Sequence, residues 1–110
     1  MKYFVYTLFV DANLENANFK NADLEFVNFY YANLTNANLS GADLRNVYAV
    51  NANLSGADLR NVLFVKTNLS YANLEGANLE GANLEGAILD NAILTGANLN
   101  CENHSICLND

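Results

Sequence analysis

The chain has 110 residues and a formal net charge of −7, with 52% apolar residues, 15% charged residues and no proline or tryptophan. This length fits one domain with a single core. No apolar run approaches the roughly 18 residues of a membrane span. Contact with nucleic acid phosphates needs clustered lysines and arginines. We therefore expect neither a membrane partner nor direct nucleic acid binding, while a basic protein partner is compatible with the charge.

The chain begins with one lysine and an apolar segment from Tyr3 to Val10. The segment is short for a signal peptide, and no small-x-small cleavage site follows it. Phe4 and Phe9 keep the five-residue phase of the rest of the chain. We predict that residues 1–10 form the opening half coil of a repeat structure, with phenylalanine rings closing its end.

A five-residue repeat continues to residue 100. At every fifth position from Leu14 to Leu99, 17 of 18 residues are Leu or Phe, and the exception is Ala49. Two residues before these centres, 14 of 18 are Ala, and the residue between is mostly Asn or Asp. Two residues after them, 13 of 18 are Gly or Asn, the types that best tolerate positive φ. We predict that the centres and the Ala residues point inward and that each repeat ends in a bend.

The five-residue period fits neither a helix nor a flat strand. Five residues advance about 500° on an α-helix, and an odd spacing alternates between the faces of a strand. A quarter turn per repeat closes a square coil in twenty residues. Thr7, Val27, Val47 and Thr67 replace Ala at intervals of twenty, whereas a triangular coil would scatter them. The sequence therefore predicts an all-β, four-sided parallel β-helix of about five coils of 20 residues, near 25 Å tall at about 4.8 Å per coil.

The run Ala72-Asn73-Leu74-Glu75-Gly76 and its successors through Gly86 resemble the pentapeptide-repeat family. The resemblance covers roughly residues 4–100, and it implies that the quadrilateral coil is right-handed. It also implies a range of functions, because some bacterial members resemble DNA in shape and charge, bind DNA gyrase and protect it from quinolones. The repeat domain is thus expected over residues 1–100.

The repeat fails from Cys101 onward, so residues 101–110 are expected to form a C-terminal cap or tail. Cys101, His104 and Cys107 are spaced as Cys-x2-His-x2-Cys. Three interpretations are open: a local disulfide between the two cysteines, two free thiols, or a metal site, of which the last has too few ligands to be favoured. We expect a cytoplasmic protein, or one of the periplasm or another oxidising compartment if Cys101 and Cys107 form a disulfide.

Stacking the sequence by twenty sorts the outward residues by side. The sides centred on Leu14 and Phe19 each have one apolar outward residue in fifteen. The side centred on Phe9 has eight, and its neighbour centred on Phe4 has six. The first set is Leu8, Val10, Tyr30, Tyr31, Tyr48, Val50, Tyr71 and Ile88; the second is Tyr3, Val5, Tyr6, Phe26, Leu63 and Val65. A contiguous apolar patch usually marks an interface; the alternatives are that the N-terminal half coil or the tail folds over part of it, or that the tyrosine side chains tolerate exposure.

No catalytic, cofactor or metal site is predicted. The interior is filled with Leu and Ala, so it leaves no pocket for convergent polar groups, and Glu75, Glu80, Glu85 and Asp90 fall on successive sides as a solvated belt. We predict a non-enzymatic scaffold that binds a protein, including a second copy of itself as a homodimer or end to end. The alternative is a DNA-mimicking inhibitor or protector of DNA gyrase.

Overall fold

Each five-residue repeat forms one side of a square coil and ends in a tight turn. The computed structural model describes Phe4 and residues 6–108. The carbonyls of most centres accept a hydrogen bond from the amide three residues later, as between the Ala32 amide and the Phe29 carbonyl at 2.8 Å, whereas the Leu44 carbonyl accepts from the Thr67 hydroxyl. The residue two after the centre has positive φ in every repeat from Tyr6 to Gly96. This is the pattern of a type II turn, and we call its positive-φ residue the corner.

Successive coils stack in parallel with a step of twenty residues. Isolated β-bridges join residues such as Asn33, Asn53 and Asn73, and no helix or longer strand occurs in the part of the chain that is described. Across each pair of coils the Leu54 amide donates to Asn73 O at 2.7 Å, and the Asn73 amide donates to Ala52 O at 2.9 Å. Since each side takes five residues, a step of twenty closes four sides. The molecule is therefore a four-sided β-helix, as the spacing predicts.

The core is a column of Leu and Ala layers with four phenylalanine rings at one end and Phe64 buried further along. Leu54 and Leu59 have exposed fractions of 1% and 0%, and Ala52 and Ala57 are equally buried. Thr67, in one of the Ala positions, is buried with its hydroxyl donating to the Leu44 carbonyl. The inward assignment of centres and Ala positions thus holds through the middle coils.

The N-terminal end is closed by phenylalanine. The ring centroids of Phe4 and Phe19 lie 5.6 Å apart, and those of Phe9 and Phe29 lie 5.5 Å apart in a stacked pair. Phe4 and Phe9 are only partly buried and pack against the core. Met1 to Tyr3 and Val5, which the opening half coil was expected to include, lie outside the described residues.

The C-terminal end is closed by a segment that leaves the register. Glu102 pairs with Asn83, nineteen residues earlier, so the last step is one residue short. The segment then returns across the end of the coil, where the Leu108 amide donates to Leu99 O at 2.9 Å. Residues 101–108 therefore form a cap, and residues 109–110 lie outside the described part of the chain.

The cap is fastened by a disulfide and by one imidazole. Cys101 and Cys107 are both buried and are joined by a disulfide. His104 Nε2 donates to Ala87 O at 3.1 Å, while its Nδ1 accepts from the Ile106 amide at 3.3 Å. In a further coil the Ala87 carbonyl would accept from a backbone amide, so His104 takes the place of that missing coil.

The molecule is a rod with principal extents of 34 × 20 × 20 Å. Among its described residues, no helix is long and apolar enough to cross a membrane.

Candidate protein-interaction surface

The outward residues divide the rod into two surfaces. We call the two sides centred on Phe4 and Phe9 the aromatic face, and the two centred on Leu14 and Phe19 the polar face. Nine of the twelve described residues predicted as an interface are exposed: Tyr6, Leu8, Val10, Phe26, Tyr31, Tyr48, Leu63, Tyr71 and Ile88. The other three, Tyr30, Val50 and Val65, are half-buried. Tyr3 and Val5 were predicted for the same face and lie outside the described residues.

Aromatic side chains of this face contact one another. The rings of Tyr6 and Phe26 stack at 5.1 Å between centroids. Tyr30 lies edge-on to Tyr31 at 4.6 Å and tilted to Tyr48 at 5.9 Å. Partial burial raises the pKa of Tyr30, and the neighbouring Tyr31 and Tyr48 raise it further. These contacts restrict the motion of several rings, and an ordered surface loses less entropy when it forms an interface.

The residue before each centre controls a local hydrogen bond. Where it is Asn or Asp, its Oδ1 accepts from the backbone amide two residues later, as between Asn53 and Ser55 at 3.0 Å. Such side-chain turns explain why the repeat prefers Asn and Asp in this position. The bond is made by Asn13, Asn18, Asp23, Asn28, Asn33, Asn38, Asp43, Asn53, Asp58, Asn68, Asn73, Asn78, Asn83 and Asn98.

The aromatic face lacks several of these hydrogen bonds between an Asn or Asp side chain and the backbone. Among the described repeats, five have an apolar residue in the Asn position: Leu8, Tyr48, Leu63, Ile88 and Ile93. All five are exposed, and their side chains offer no oxygen to the amide two residues later. A hydrogen bond of this kind contributes about 0.5–1.5 kcal/mol. Four of the five lie on the aromatic face, so exposed apolar area replaces hydrogen bonds mainly there.

The corners show the same division. On the polar face all nine corners from Asn16 to Gly96 are Asn or Gly. On the aromatic face four corners are aromatic: Tyr6, Phe26, Tyr31 and Tyr71, with φ between 58° and 64°. A left-handed backbone at a non-glycine residue costs about 1–3 kcal/mol, and a bulky side chain is an outlier there. The aromatic face therefore combines exposed rings with backbone strain.

Charged residues form ion pairs on both the polar face and the aromatic face. On the polar face Arg60 holds Asp58 through two hydrogen bonds of 2.6 and 2.8 Å, which lower the pKa of Asp58. On the aromatic face Arg45 binds Asp43 at 2.7 Å and approaches Glu25 at 3.4 Å. Partial burial raises the pKa of Asp43, but hydrogen bonds from Arg45 outweigh it and lower the pKa overall.

Two groups of side chains have the chemistry of metal ligands. Asp23, Glu25 and Asp43 bring carboxylate oxygens within 4.8 Å of one another, but Arg45 already forms ion pairs with two of the three. In the cap both cysteine sulfurs are committed to the disulfide, and both nitrogens of His104 have protein partners. Neither arrangement resembles an open metal site.

Comparison with known proteins agrees with the repeat geometry. The family model described as pentapeptide repeats matches residues 7–46, 28–65 and 67–100, with 8 copies. The chain belongs to the pentapeptide-repeat family. No curated protein matches its sequence.

Solved structures of pentapeptide-repeat proteins share the fold. The protein alr5209 from Nostoc PCC 7120 is 35% identical, with a TM-score of 0.77 over 92% of this chain and 85% of its own. Rfr23 from the cyanobacterium Cyanothece 51142 is 32% identical, with a TM-score of 0.59 over 96% of this chain and 90% of its own. A trypsin-treated variant of QnrB1, a plasmid-mediated fluoroquinolone resistance protein, is 21% identical with a TM-score of 0.62, over 92% of this chain and 62% of its own. The last similarity is one of fold alone.

Sequence reasoning placed the apolar residues on the correct side of the backbone but missed their energetic consequence. The signal was present, because an apolar residue in an Asn position or an aromatic residue in a Gly position departs from the repeat. The structure adds that the Asn oxygen accepts a hydrogen bond and that every corner has positive φ. Only with these two facts do the departures become destabilising.

Proposed function

We propose that this pentapeptide-repeat protein is a non-enzymatic scaffold that binds a protein through its aromatic face. The observation that carries the proposal is the coincidence of three features on two adjacent sides: exposed aromatic side chains, strained corners and missing turn hydrogen bonds. Strain of this kind persists where it serves a function. Solubility does not explain it, because Asn and Gly on the polar face satisfy the fold without strain.

We further propose the right-handed coil of about five turns that its relatives suggest, and an oxidising compartment such as the periplasm. The Cys101–Cys107 disulfide supports that location. Alkylation of free thiols in freshly lysed source cells, followed by mass spectrometry, tests it. Two alkylated cysteines in the isolated chain would instead favour the cytoplasm.

The test of the scaffold uses a reverted variant with Tyr31→Asn, Leu63→Asn and Tyr71→Gly, which restores the repeat on the aromatic face. Its matched control carries three changes on the polar face, Glu15→Gln, Asn36→Gly and Glu75→Gln. Each is immobilised beside wild type and exposed to lysate of the source cell, and captured proteins are quantified by mass spectrometry.

We expect a protein that wild type and the control capture at least tenfold better than the reverted variant. That protein is then purified, and its Kd is measured against all three chains. Equal capture by all three chains would contradict an interface on the aromatic face.

A second candidate, inhibition or protection of DNA gyrase, is favoured by the net charge of −7. Against it, the exposed surface of a DNA mimic is acidic, whereas this rod presents an aromatic face and is interrupted by Lys20, Arg45, Arg60 and Lys66. A gyrase supercoiling assay distinguishes the two candidates. Inhibition of supercoiling at low micromolar protein would favour the gyrase function over the scaffold.

A further inference from the structure

The side centred on Phe9 has a regular layout, which the bridges define. One column contains Leu8, Asn28, Tyr48, Asn68 and Ile88, each bridged to the next. The residues two further along form a parallel column: Val10, Tyr30, Val50, Ser70 and Asp90. One edge of the side is formed by the preceding corners, Tyr6, Phe26, Asn46, Lys66 and Gly86; the other by its own corners, Asp11, Tyr31, Asn51, Tyr71 and Asn91. Each coil thus supplies one level of four residues.

We propose that this side binds the same side of a second copy, with the two rods parallel about a two-fold axis along their length. The inference rests on the proposed function in taking the aromatic face as an interface. It goes further in naming the partner, the side and the direction. The neighbouring side centred on Phe4 stays available to another protein.

The residues at each level support a parallel pair. Such an axis keeps every residue at its level and exchanges the two edges, so each edge residue meets the opposite edge of the same coil. The edge pairs are Tyr6 with Asp11, Phe26 with Tyr31, Asn46 with Asn51, Lys66 with Tyr71 and Gly86 with Asn91. The first four join a hydroxyl to a carboxylate, two aromatic rings, two amides, and a cation to a ring face, each of them a favourable combination, while Gly86 offers Asn91 no side chain.

The two inner columns also match at most levels. Leu8 meets Val10 and Tyr48 meets Val50, which are apolar pairs, while Asn68 meets Ser70, which is a polar pair. Asn28 meets Tyr30, where an amide can reach a hydroxyl. Ile88 with Asp90, at the last coil, is the one level that opposes an apolar residue to a charge. Isologous contacts of this kind are the commonest form of association between identical chains.

The charges disfavour the antiparallel alternative. Reversing one rod sets each residue against its own column, so Asp11 faces Asn91 and Asp90 faces Val10, and the carboxylates of Asp11 and Asp90 become neighbours at both ends of the interface. Juxtaposed like charges select against a binding mode. The parallel pair instead sets Asp11 opposite Tyr6, while Lys66 meets a ring in either direction, Tyr71 in the parallel pair and Phe26 in the antiparallel one.

The available area fits a partner of the same size. A side of a rod measuring 34 by 20 Å offers about 680 Å² before its edges are counted, close to the roughly 800 Å² per partner of a standard interface. A second copy covers the whole length of the side, and its tyrosines supply contact area with few rotatable bonds. Covering this side would also remove from water the rings of Tyr31, Tyr48 and Tyr71.

The first test measures mass by multi-angle light scattering at about 100 µM, well above the micromolar range of weak specific complexes. We expect wild type to have twice the mass of the chain and Tyr48→Glu to be a monomer, with the polar-face change Asn53→Glu still dimeric. A monomeric wild type overturns this proposal, and the capture comparison above still decides the scaffold separately.

The second test determines direction by disulfide trapping. Chains with Asn68→Cys and Ser70→Cys are purified separately, mixed and oxidised with the Cys101–Cys107 disulfide kept intact. In the parallel pair residue 68 of one copy faces residue 70 of the other, so the mixture should form at least ten times more cross-linked dimer than either chain alone. A mixture of Asn28→Cys and Asn68→Cys chains is the antiparallel control, and preferential trapping of that mixture would overturn the parallel pair.

Discussion

The polar face and the aromatic face cover one core but treat the same backbone differently. On the polar face nearly every repeat satisfies its turn, with Asn before the centre and Asn or Gly at the corner. On the aromatic face the same backbone continues with rings at positive φ and with Leu or Tyr in place of Asn. The backbone hydrogen bonds between coils continue along both faces, although several on the aromatic face are longer, such as 3.3 Å from the Tyr6 amide and 3.2 Å from the Tyr31 amide. The comparison shows that the scaffold tolerates local penalties on its surface because the stacking of coils fixes the backbone independently.

The largest effect should be the same on both faces, because the core is common to them. Leu54 lies behind the polar face and Leu69 behind the aromatic face, with exposed fractions of 1% and 0%. Replacing either by Ala should lower the free energy of unfolding by about 2–5 kcal/mol, measured by urea denaturation. Glu75→Ala on the surface is the control and should change it by less than about 0.5 kcal/mol. A cost confined to one of the two leucines would mean that the faces do not share a core.

Exchanging two neighbouring corners should give effects of opposite sign. Gly76 has φ of +67°, and a Cβ added there would meet no atom within 4 Å, so Gly76→Tyr adds backbone strain with open space around its Cβ. It should destabilise by about 1–2 kcal/mol. Tyr71→Gly relieves such strain and should raise the free energy of unfolding by about 1 kcal/mol. This gain is smaller than the loss in Gly76→Tyr because glycine also increases the conformational freedom of the unfolded chain. Thermal unfolding of both variants measures this, and loss of stability in Tyr71→Gly would show that the ring is stabilising where it stands.

Restoring one turn hydrogen bond should stabilise the aromatic face more modestly. Leu63→Asn supplies an acceptor for the Val65 amide and should raise the free energy of unfolding by about 0.5–1.5 kcal/mol. Asn53→Leu on the polar face removes the bond to the Ser55 amide, 3.0 Å long, and should lower it by a similar amount. If both changes have the same sign, apolar packing rather than the turn bond decides this position.

The smallest effect concerns pH and belongs to the polar face. Arg60 lowers the pKa of Asp58 in the folded chain, so the pair adds stability above the unfolded pKa of about 3.9 and loses it as the pH falls through the lower folded value. The difference in unfolding free energy between wild type and Arg60→Gln should therefore be present at pH 7 and shrink below about pH 4. In an Asp58→Asn background the same difference should no longer depend on pH in this range, and persistence of the dependence would assign it to another carboxyl group.

Much of this fold can be predicted from the sequence because the same five-residue pattern specifies the same local structure many times. The inward position of Leu54 and the stacking of Asn53 on Asn33 follow from the period alone. The cap could not be read in this way. Its short step between Asn83 and Glu102 depends on how a single disulfide loop and one histidine contact the last coil. These contacts occur only once, so they leave no repeating pattern in the sequence.

The candidate surface was predictable in position but only partly in exposure. Tyr31 and Tyr71 stand outward as expected, yet Tyr30 is half-buried because it packs against two neighbouring rings. The identity of a partner could not be predicted, since an apolar side defines the shape and polarity of a complementary surface but not the protein that carries it. Complementarity between two copies can be assessed here because the same sequence supplies both surfaces.

The twenty-residue step also governs how such a chain can change length. Duplicating a whole coil would lengthen every side by about 4.8 Å and leave each later residue on its original side. Duplicating a single five-residue repeat would preserve the core pattern equally well, yet it would rotate everything that follows by a quarter turn and carry tyrosines from one side to the next. Insertions that leave folding intact would thus differ sharply in their effect on the surface, and the aromatic face should keep its arrangement only after changes made in multiples of twenty.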